Sequence, residues 1–216
     1  QSISQCYWTV FSFNIGMAVV KLVIALLGYN SLFVLDALIS AAIGTQVAAA
    51  LIGLNVGMAA PESWRYTYGR GKIQFLLALV LGGVLVIAAS FAMGLTIKRF
   101  AWPIRGDSSS VAIAIALAFT AANVLLVLFI RRSATSTFDV GVRKMATLQA
   151  LSIFSALSVL QSAVLIGYQW LDAERIGRIS ISAIMIYLSV VIIRNALEGV
   201  MDQSTGKEPE KIIADL

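Results

Sequence analysis

Histidine is absent from this 216-residue sequence, and cysteine occurs once, at Cys6. A single cysteine excludes an intrachain disulfide, and the lack of histidine removes a common zinc ligand and the commonest general base. Charged residues make up 12% of the chain, whereas a typical soluble domain has about 25%. This number of charges is too small to solvate a globular surface, and lipid must therefore surround much of the chain. We expect a membrane protein that is not an enzyme and holds no cofactor.

Long apolar runs fill most of the sequence, which is 59% hydrophobic. A helix needs about 20 such residues to cross a hydrocarbon core about 30 Å thick. Six runs are long enough, and they predict an all-α bundle of six transmembrane helices within a domain spanning 1–202. The predicted spans are 7–28, 32–59, 74–97, 111–130, 146–169 and 177–200.

Lysine and arginine in the connections between spans indicate the orientation. The connections on one side hold seven of them: Arg65, Arg70, Lys72, Arg131, Arg132, Arg143 and Lys144. The connections on the other side hold five: Lys98, Arg99, Arg105, Arg175 and Arg178. The excess predicts that the first side, and both termini with it, is cytoplasmic. The polar stretch 203–216 is then a cytoplasmic tail, either a short helix or the start of a soluble domain, and the net charge of +5 does not indicate nucleic acid as a partner.

Two ionisable residues, Lys21 and Asp36, lie well inside the predicted spans. A charge at such a depth costs a few kcal/mol unless it is paired or functional. Lys21 lies about 10 Å from the end of the first span, and Asp36 about 6 Å into the second, by the helical rise. Because a short turn joins these spans, we expect the two side chains to meet, directly or through water. Alternatively, Lys21 extends its amine towards the interface and Asp36 caps its helix.

Several segments resemble a known family when they are taken in order. The stretch from Asn14 to Lys21, followed by Leu26-Leu-Gly28-Tyr-Asn-Ser31-Leu-Phe-Val-Leu-Asp36-Ala-Leu, is similar to the first hairpin of the cation diffusion facilitator (cation efflux) family. Tyr66-Thr-Tyr68-Gly69-Arg70-Gly71-Lys72 resembles that family's Tyr-Gly-His-Gly-Lys loop, with Arg70 in place of histidine. Ser158-Val-Leu-Gln-Ser162-Ala163, then Asp172, then Glu198-Gly-Val-Met-Asp202 fit its fifth and sixth helices.

The resemblance implies a six-helix, usually dimeric exporter of divalent metal ions that works by alternating access and exchanges protons. It also implies a charge interlock between Lys72, in the loop after the second helix, and Asp202, at the end of the sixth. Both residues are present, and we expect them to form a structural charge pair, as we do for Lys21 and Asp36.

The sequence departs from the family at the metal site. There, four ligands come from an i, i+4 pair on the second helix and another on the fifth, and the resemblance places these positions here at Ile39, Ile43, Leu148 and Ser152. Three apolar side chains and one hydroxyl cannot replace the hydration shell of a divalent ion. We therefore expect no metal at these positions.

Other polar side chains could form a substrate pathway in place of that site. The candidates are Asp36, Ser40, Gln149, Ser152 and Ser155. Two functions stay open from the sequence. The first is a transporter of the cation efflux type that has lost its usual ligands. The alternative is a non-transporting accessory or scaffold subunit that dimerises with or stabilises another membrane protein. In either case we expect a homodimer or a heteromeric membrane complex.

Overall fold

The computed structural model describes residues 3–27, 31–58, 73–98, 110–137, 140–168, 170 and 172–200, with side chains described at 3–27, 31–53, 75–94, 110–135, 141–168, 170 and 172–200. This part of the chain forms six α-helices and no strand: α1 (Ile3–Leu26), α2 (Leu32–Met58), α3 (Ile73–Lys98), α4 (Ser110–Thr137), α5 (Val140–Gly167) and α6 (Ala173–Val200). Each of these helices is long and apolar enough to cross a membrane. The protein is therefore an integral, multi-pass membrane protein, and the predicted fold class is confirmed.

Several helices extend beyond the predicted apolar runs. Helix α1 begins at Ile3 rather than residue 7, α4 continues to Thr137 rather than 130, and α5 begins at Val140 rather than 146. The length of an apolar run is set by the thickness of the lipid core. The helix itself can continue into the polar surroundings on either side, because its backbone hydrogen bonds do not require apolar side chains. The predicted tail at 203–216 lies outside the described residues.

Three antiparallel pairs of helices make up most of the packing. Helix α1 packs along α2, α3 along α6 and α4 along α5, and the pairs meet where α5 contacts α2 and α6. Gly44 allows α1 to approach α2, since a Cβ there would lie 2.9 Å from Ile15 Cδ1. Gly82 does the same for α3 and α6, because its Cβ would lie 2.6 Å from Ile193 Cγ1.

Apolar side chains fill the spaces between these pairs in two clusters. The larger cluster holds Phe33, Ile39, Ile43 and Leu148 together with residues of α3, α4 and α6. The smaller one lies at the end of the bundle where α1 begins and α2 ends, and includes Cys6 and Val47. Buried polar side chains interrupt the apolar interior, and they define the candidate site.

Candidate functional site

Lys21 on α1 and Asp36 on α2 form an ion pair inside the bundle. Lys21 Nζ lies 2.8 Å from Asp36 Oδ2, and the two side chains are 0% and 1% exposed. The predicted direct contact is therefore present. Lys21 does not extend its amine to the surface, and Asp36, four residues into α2, does not cap that helix.

The Lys21 ammonium has two further neighbours. It donates a hydrogen bond to Ser40 Oγ at 2.8 Å, from one turn further along α2. It also lies 5.6 Å from the ring centroid of Phe119 on α4, within range of a cation–π interaction. A carboxylate, a hydroxyl and an aromatic face thus surround the charge.

Asp36 uses its other oxygen to join α2 to α5. Ser155 donates its hydroxyl proton to Asp36 Oδ1, and the same hydroxyl lies 3.1 Å from the backbone oxygen of Ser152. Both serines are fully buried. The Ser155 hydroxyl therefore provides a second partner, from α5, for the carboxylate that pairs with Lys21.

A network of amide and hydroxyl groups lies next to this ion pair, and we call it the amide lattice: Asn14, Asn123, Gln149 and Ser152. Asn14 Nδ2 donates to Gln149 Oε1 at 2.8 Å. Gln149 Nε2 donates to Asn123 Oδ1 at 3.2 Å and to Ser152 Oγ at 2.9 Å. Ser152 Oγ also lies 3.0 Å from Asn123 Oδ1. The amide lattice therefore links α1, α4 and α5.

The five predicted pathway residues divide between these two groups. Asp36 and Ser40 contact the Lys21 ammonium, and Ser155 bonds to Asp36. Gln149 and Ser152 belong to the amide lattice. The sequence did not single out Asn14 and Asn123 as site residues. In the sequence, each of these two asparagines is visible only as a polar residue within a span. Helices that are apolar on nearly all sides do not show which of their faces points into the bundle.

The four positions that the sequence resemblance aligns with the family's ligands lie in the bundle interior. Ile39 and Ile43 are 0% exposed and Leu148 is 6% exposed, and all three belong to the larger apolar cluster. Ser152, at the fourth position, is held in the amide lattice. Within the described residues, no group of three or more His, Cys, Asp or Glu side chains lies close enough to hold a metal ion.

A second charged cluster lies at the end of the bundle where α6 begins. Ser31 donates to Glu174 Oε1, and Arg178 Nη2 donates to that oxygen at 2.8 Å and to Ser31 Oγ at 2.6 Å. Glu174 is only 2% exposed. The sequence interpretation treated Arg178 as a loop charge and overlooked this cluster, although the i, i+4 spacing of Glu174 and Arg178 was visible.

A cavity of about 340 Å³ lies at the opposite end of the bundle. Leu148 forms part of its wall, and its polar lining comes from side chains that include Gln46, Lys144 and Asn195. On the same side, the exposed pair Arg194–Glu198 is joined at 3.1 Å. The predicted interlock between Lys72 and Asp202 lies outside the described residues, and it stays a prediction.

These features define a multi-pass membrane protein whose interior holds a buried ion pair beside an amide lattice. The family model of the cation efflux transmembrane domain matches residues 7–201. The chain therefore belongs to the cation efflux family of membrane transporters, as the sequence resemblance predicted. It is also 24% identical over 206 residues to "Magnetosome protein MamB" of Magnetospirillum gryphiswaldense, an alignment that covers 94% of this chain and 68% of that protein. Members of the family commonly dimerise.

Proposed function

We propose that this chain is a cation-efflux-type transporter whose usual divalent-metal ligands are missing and whose buried carboxylate, Asp36, is neutralised by Lys21. Zinc, manganese and iron(II) then do not pass by the route that the family uses. The observation that carries the proposal is the position of the Lys21 ammonium, 2.8 Å from Asp36 in a fully buried setting. The membrane carboxylate that could attract a cation is already neutralised by a residue of the same chain.

Electrostatics support this proposal. Two unit charges 4 Å apart interact by about 4 kcal/mol at an effective dielectric constant of about 20. A divalent ion brought to Asp36 would meet a repulsion from Lys21 of about twice that size, because its charge is double, and this repulsion offsets the ion's attraction to the carboxylate. The ion would also lose its hydration shell, and the hydroxyls of Ser40 and Ser155 are poor replacements for anionic ligands.

The positions aligned with the family's ligands support the same conclusion. Ile39, Ile43 and Leu148 have no lone pairs to offer a metal. Asp36 lies seven residues before Ile43, which is about 10 Å along the helix axis. Its carboxylate is therefore too far away to act at the Ile43 position. For any proton exchange, which the family resemblance implies, Asp36 is the candidate carboxylate, because the other carboxylates in the described helices, Glu174 and Glu198, lie near the two ends of α6.

The polar groups that remain fit a different kind of solute. Asp36 and Ser40, with Gln149, Ser152 and Ser155, provide one carboxylate and several neutral oxygens. Neutral oxygens and a single carboxylate suit a monovalent cation or a polar solute better than zinc. We propose these five residues as the substrate pathway, in a protein with both termini in the cytoplasm.

A second candidate function is an accessory or scaffold subunit that transports nothing. The amide lattice favours it, since Asn14, Asn123, Gln149 and Ser152 bond mainly to one another and join three helices. Side chains used in this way stabilise one arrangement of helices. In this view the chain dimerises with or stabilises another membrane protein, to which it contributes a membrane surface.

Flux through reconstituted vesicles tests the proposal. The purified chain is placed in vesicles with a proton gradient, and uptake of zinc, manganese and iron(II) is measured beside empty vesicles and a zinc-transporting member of the family. We expect uptake equal to that of empty vesicles. Robust zinc uptake would show that the proposal is wrong. The subunits that co-purify under mild solubilisation then separate the two candidates, because a homodimer favours a transporter and a larger assembly an accessory role.

A further inference from the structure

The surroundings of the Lys21 amine have the composition of a binding site for a primary ammonium ion. Asp36 Oδ2 and Ser40 Oγ each lie 2.8 Å from Nζ, and the Phe119 ring lies 5.6 Å away. A carboxylate balances the charge, a hydroxyl accepts an N–H, and an aromatic face stabilises the rest of the cation. Each of these groups can bind the amine of a lysine side chain or a free ammonium ion in the same way.

The groups around the amine are held in place by residues other than Lys21. Ser155 donates to Asp36 Oδ1 from α5. The Phe119 ring packs edge-on against Phe33, with ring centroids 5.8 Å apart at an angle of 79°. Ser40 is fully buried on α2, as is Asp36. A site whose walls are fixed by other contacts is expected to keep its shape when the ligand is removed.

We infer that Asp36, Ser40 and Phe119 form a monovalent-cation site, selective for ammonium ions that carry N–H donors, and that Lys21 is its resident ligand. While Lys21 is in place, its ammonium occupies the site, and another cation can bind there only by displacing it. This inference rests on the proposed function, in that the pathway there is suited to a monovalent cation, and it adds the class of cation and the residue that competes with it.

The shape of lysine determines which probes fit. Lys21→Ala removes three methylene groups and the amine, which together have the size of propylammonium. Lys21→Met keeps most of the apolar stem and leaves room for little more than an ammonium ion. The two variants therefore predict opposite preferences between a large and a small probe at the same site.

Thermal unfolding of the purified full chain, titrated with propylammonium chloride or ammonium chloride, tests the inference. We expect propylammonium to raise the unfolding midpoint of Lys21→Ala by a few degrees, because a ligand that binds only the folded state stabilises it. Ammonium should do the same for Lys21→Met, where propylammonium should not. The wild type, whose site is filled, should respond to neither. Propan-1-ol and tetramethylammonium, which lack either the charge or the N–H donors, serve as controls.

The double variants Lys21→Ala/Asp36→Asn and Lys21→Met/Asp36→Asn identify the carboxylate as part of the site. They should show no response to either probe. An equal response in these doubles or in the wild type, or no response in either single variant, would overturn the inference. If Lys21→Ala does not fold, the response of Lys21→Met to ammonium decides the matter. The outcome is independent of the flux assay, because zinc uptake by the wild type bears on the proposed function and the ammonium response bears on this site alone.

Discussion

Lys21 and Asp36 lie on helices that follow one another in the chain, and they form an ion pair that is excluded from the surface of the bundle. Such a pair is weak evidence for stability in itself, because desolvation offsets the attraction between its charges. Removing one partner is different, since the other charge is then buried without compensation. The pair therefore predicts a specific pattern among single and double variants.

Neutralising one residue of this pair should destabilise the protein more than neutralising both. We expect Lys21→Met and Asp36→Asn each to lower the free energy of unfolding by about 3–5 kcal/mol. The double variant Lys21→Met/Asp36→Asn should lose less than the sum of the singles. Thermal unfolding and the yield of monodisperse protein measure both effects. Single variants as stable as the wild type would show that the ion pair has no structural role.

Ser155 should matter because its hydroxyl bonds to Asp36, and a matched serine is available one turn away. Ser155→Ala leaves Asp36 Oδ1 without that donor and should cost about 1–3 kcal/mol. Ser158 bonds to the carbonyl oxygen of Phe154 in its own helix, and we expect Ser158→Ala to be close to neutral. The two variants are compared by their unfolding midpoints under identical conditions. Equal midpoints would contradict the role given to Ser155.

The number and order of the helices were predictable from the sequence because apolar runs of this length have few alternatives to crossing a membrane. The contact between Lys21 and Asp36 was predictable as well, since a short turn fixes how far apart two charges near its ends can be. The ends of the helices were less predictable from the sequence. A run of apolar residues ends where the lipid core ends. Helix α4 nevertheless continues beyond its apolar run through Arg131, and α5 begins before its apolar run and includes Lys144.

The amide lattice could not be predicted, for a physical reason. Asn14, Asn123 and Gln149 lie on helices that are apolar on nearly every side, and no periodicity tells which side faces inward. Their contacts join helices far apart in the sequence, and they depend on the packing of the whole bundle. The cluster at Glu174 was partly visible as an i, i+4 pair with Arg178, but its contact with Ser31 required knowing that α6 begins beside the first hairpin.

The amide lattice should act as a coupled unit. Asn123→Ala removes one of the acceptors of Gln149 Nε2 and of Ser152 Oγ, and Gln149→Ala removes one of the two acceptors of Asn14 Nδ2. Each should cost about 1–3 kcal/mol, and the double variant should cost less than the sum, with a coupling energy of about 0.5–3 kcal/mol. A double-mutant cycle on unfolding measures the coupling. Strict additivity would show that these side chains act independently.

Glu174 should hold the first hairpin against α6. Glu174→Gln keeps the shape of the side chain and removes the charge that Arg178 and Ser31 contact, and we expect faster hydrogen–deuterium exchange in the first turn of α2 at residues 32–35. The matched control is Glu198→Gln, which breaks the exposed pair with Arg194. An exposed pair contributes at most about 1 kcal/mol, and its loss should leave the exchange at 32–35 unchanged. An unchanged rate in Glu174→Gln would contradict the role of the cluster.

Placing metal-binding side chains at the four positions that the resemblance aligns with the family's ligands should create a zinc site there. The variant combines Ile39→Asp, Ile43→Asp, Leu148→His and Ser152→Asp, on helices α2 and α5, which contact each other. Without metal it should be less stable than the wild type, because it buries carboxylates that have no partner. Zinc should reverse this loss, by about 2.7 kcal/mol when its concentration is one hundred times the dissociation constant.

The control for this restoration carries Ile39→Asn, Ile43→Asn, Leu148→Gln and Ser152→Asn, which are polar but provide no anion or imidazole for zinc. Neither the control nor the wild type should be stabilised by zinc, because neutral amides and apolar side chains are weak zinc ligands. A folded ligand variant that zinc does not stabilise would show that the four positions do not face a common centre. Equal stabilisation of the wild type would show instead that zinc binds at a site built from other residues, and the ion pair of Lys21 and Asp36 would then not be what excludes it.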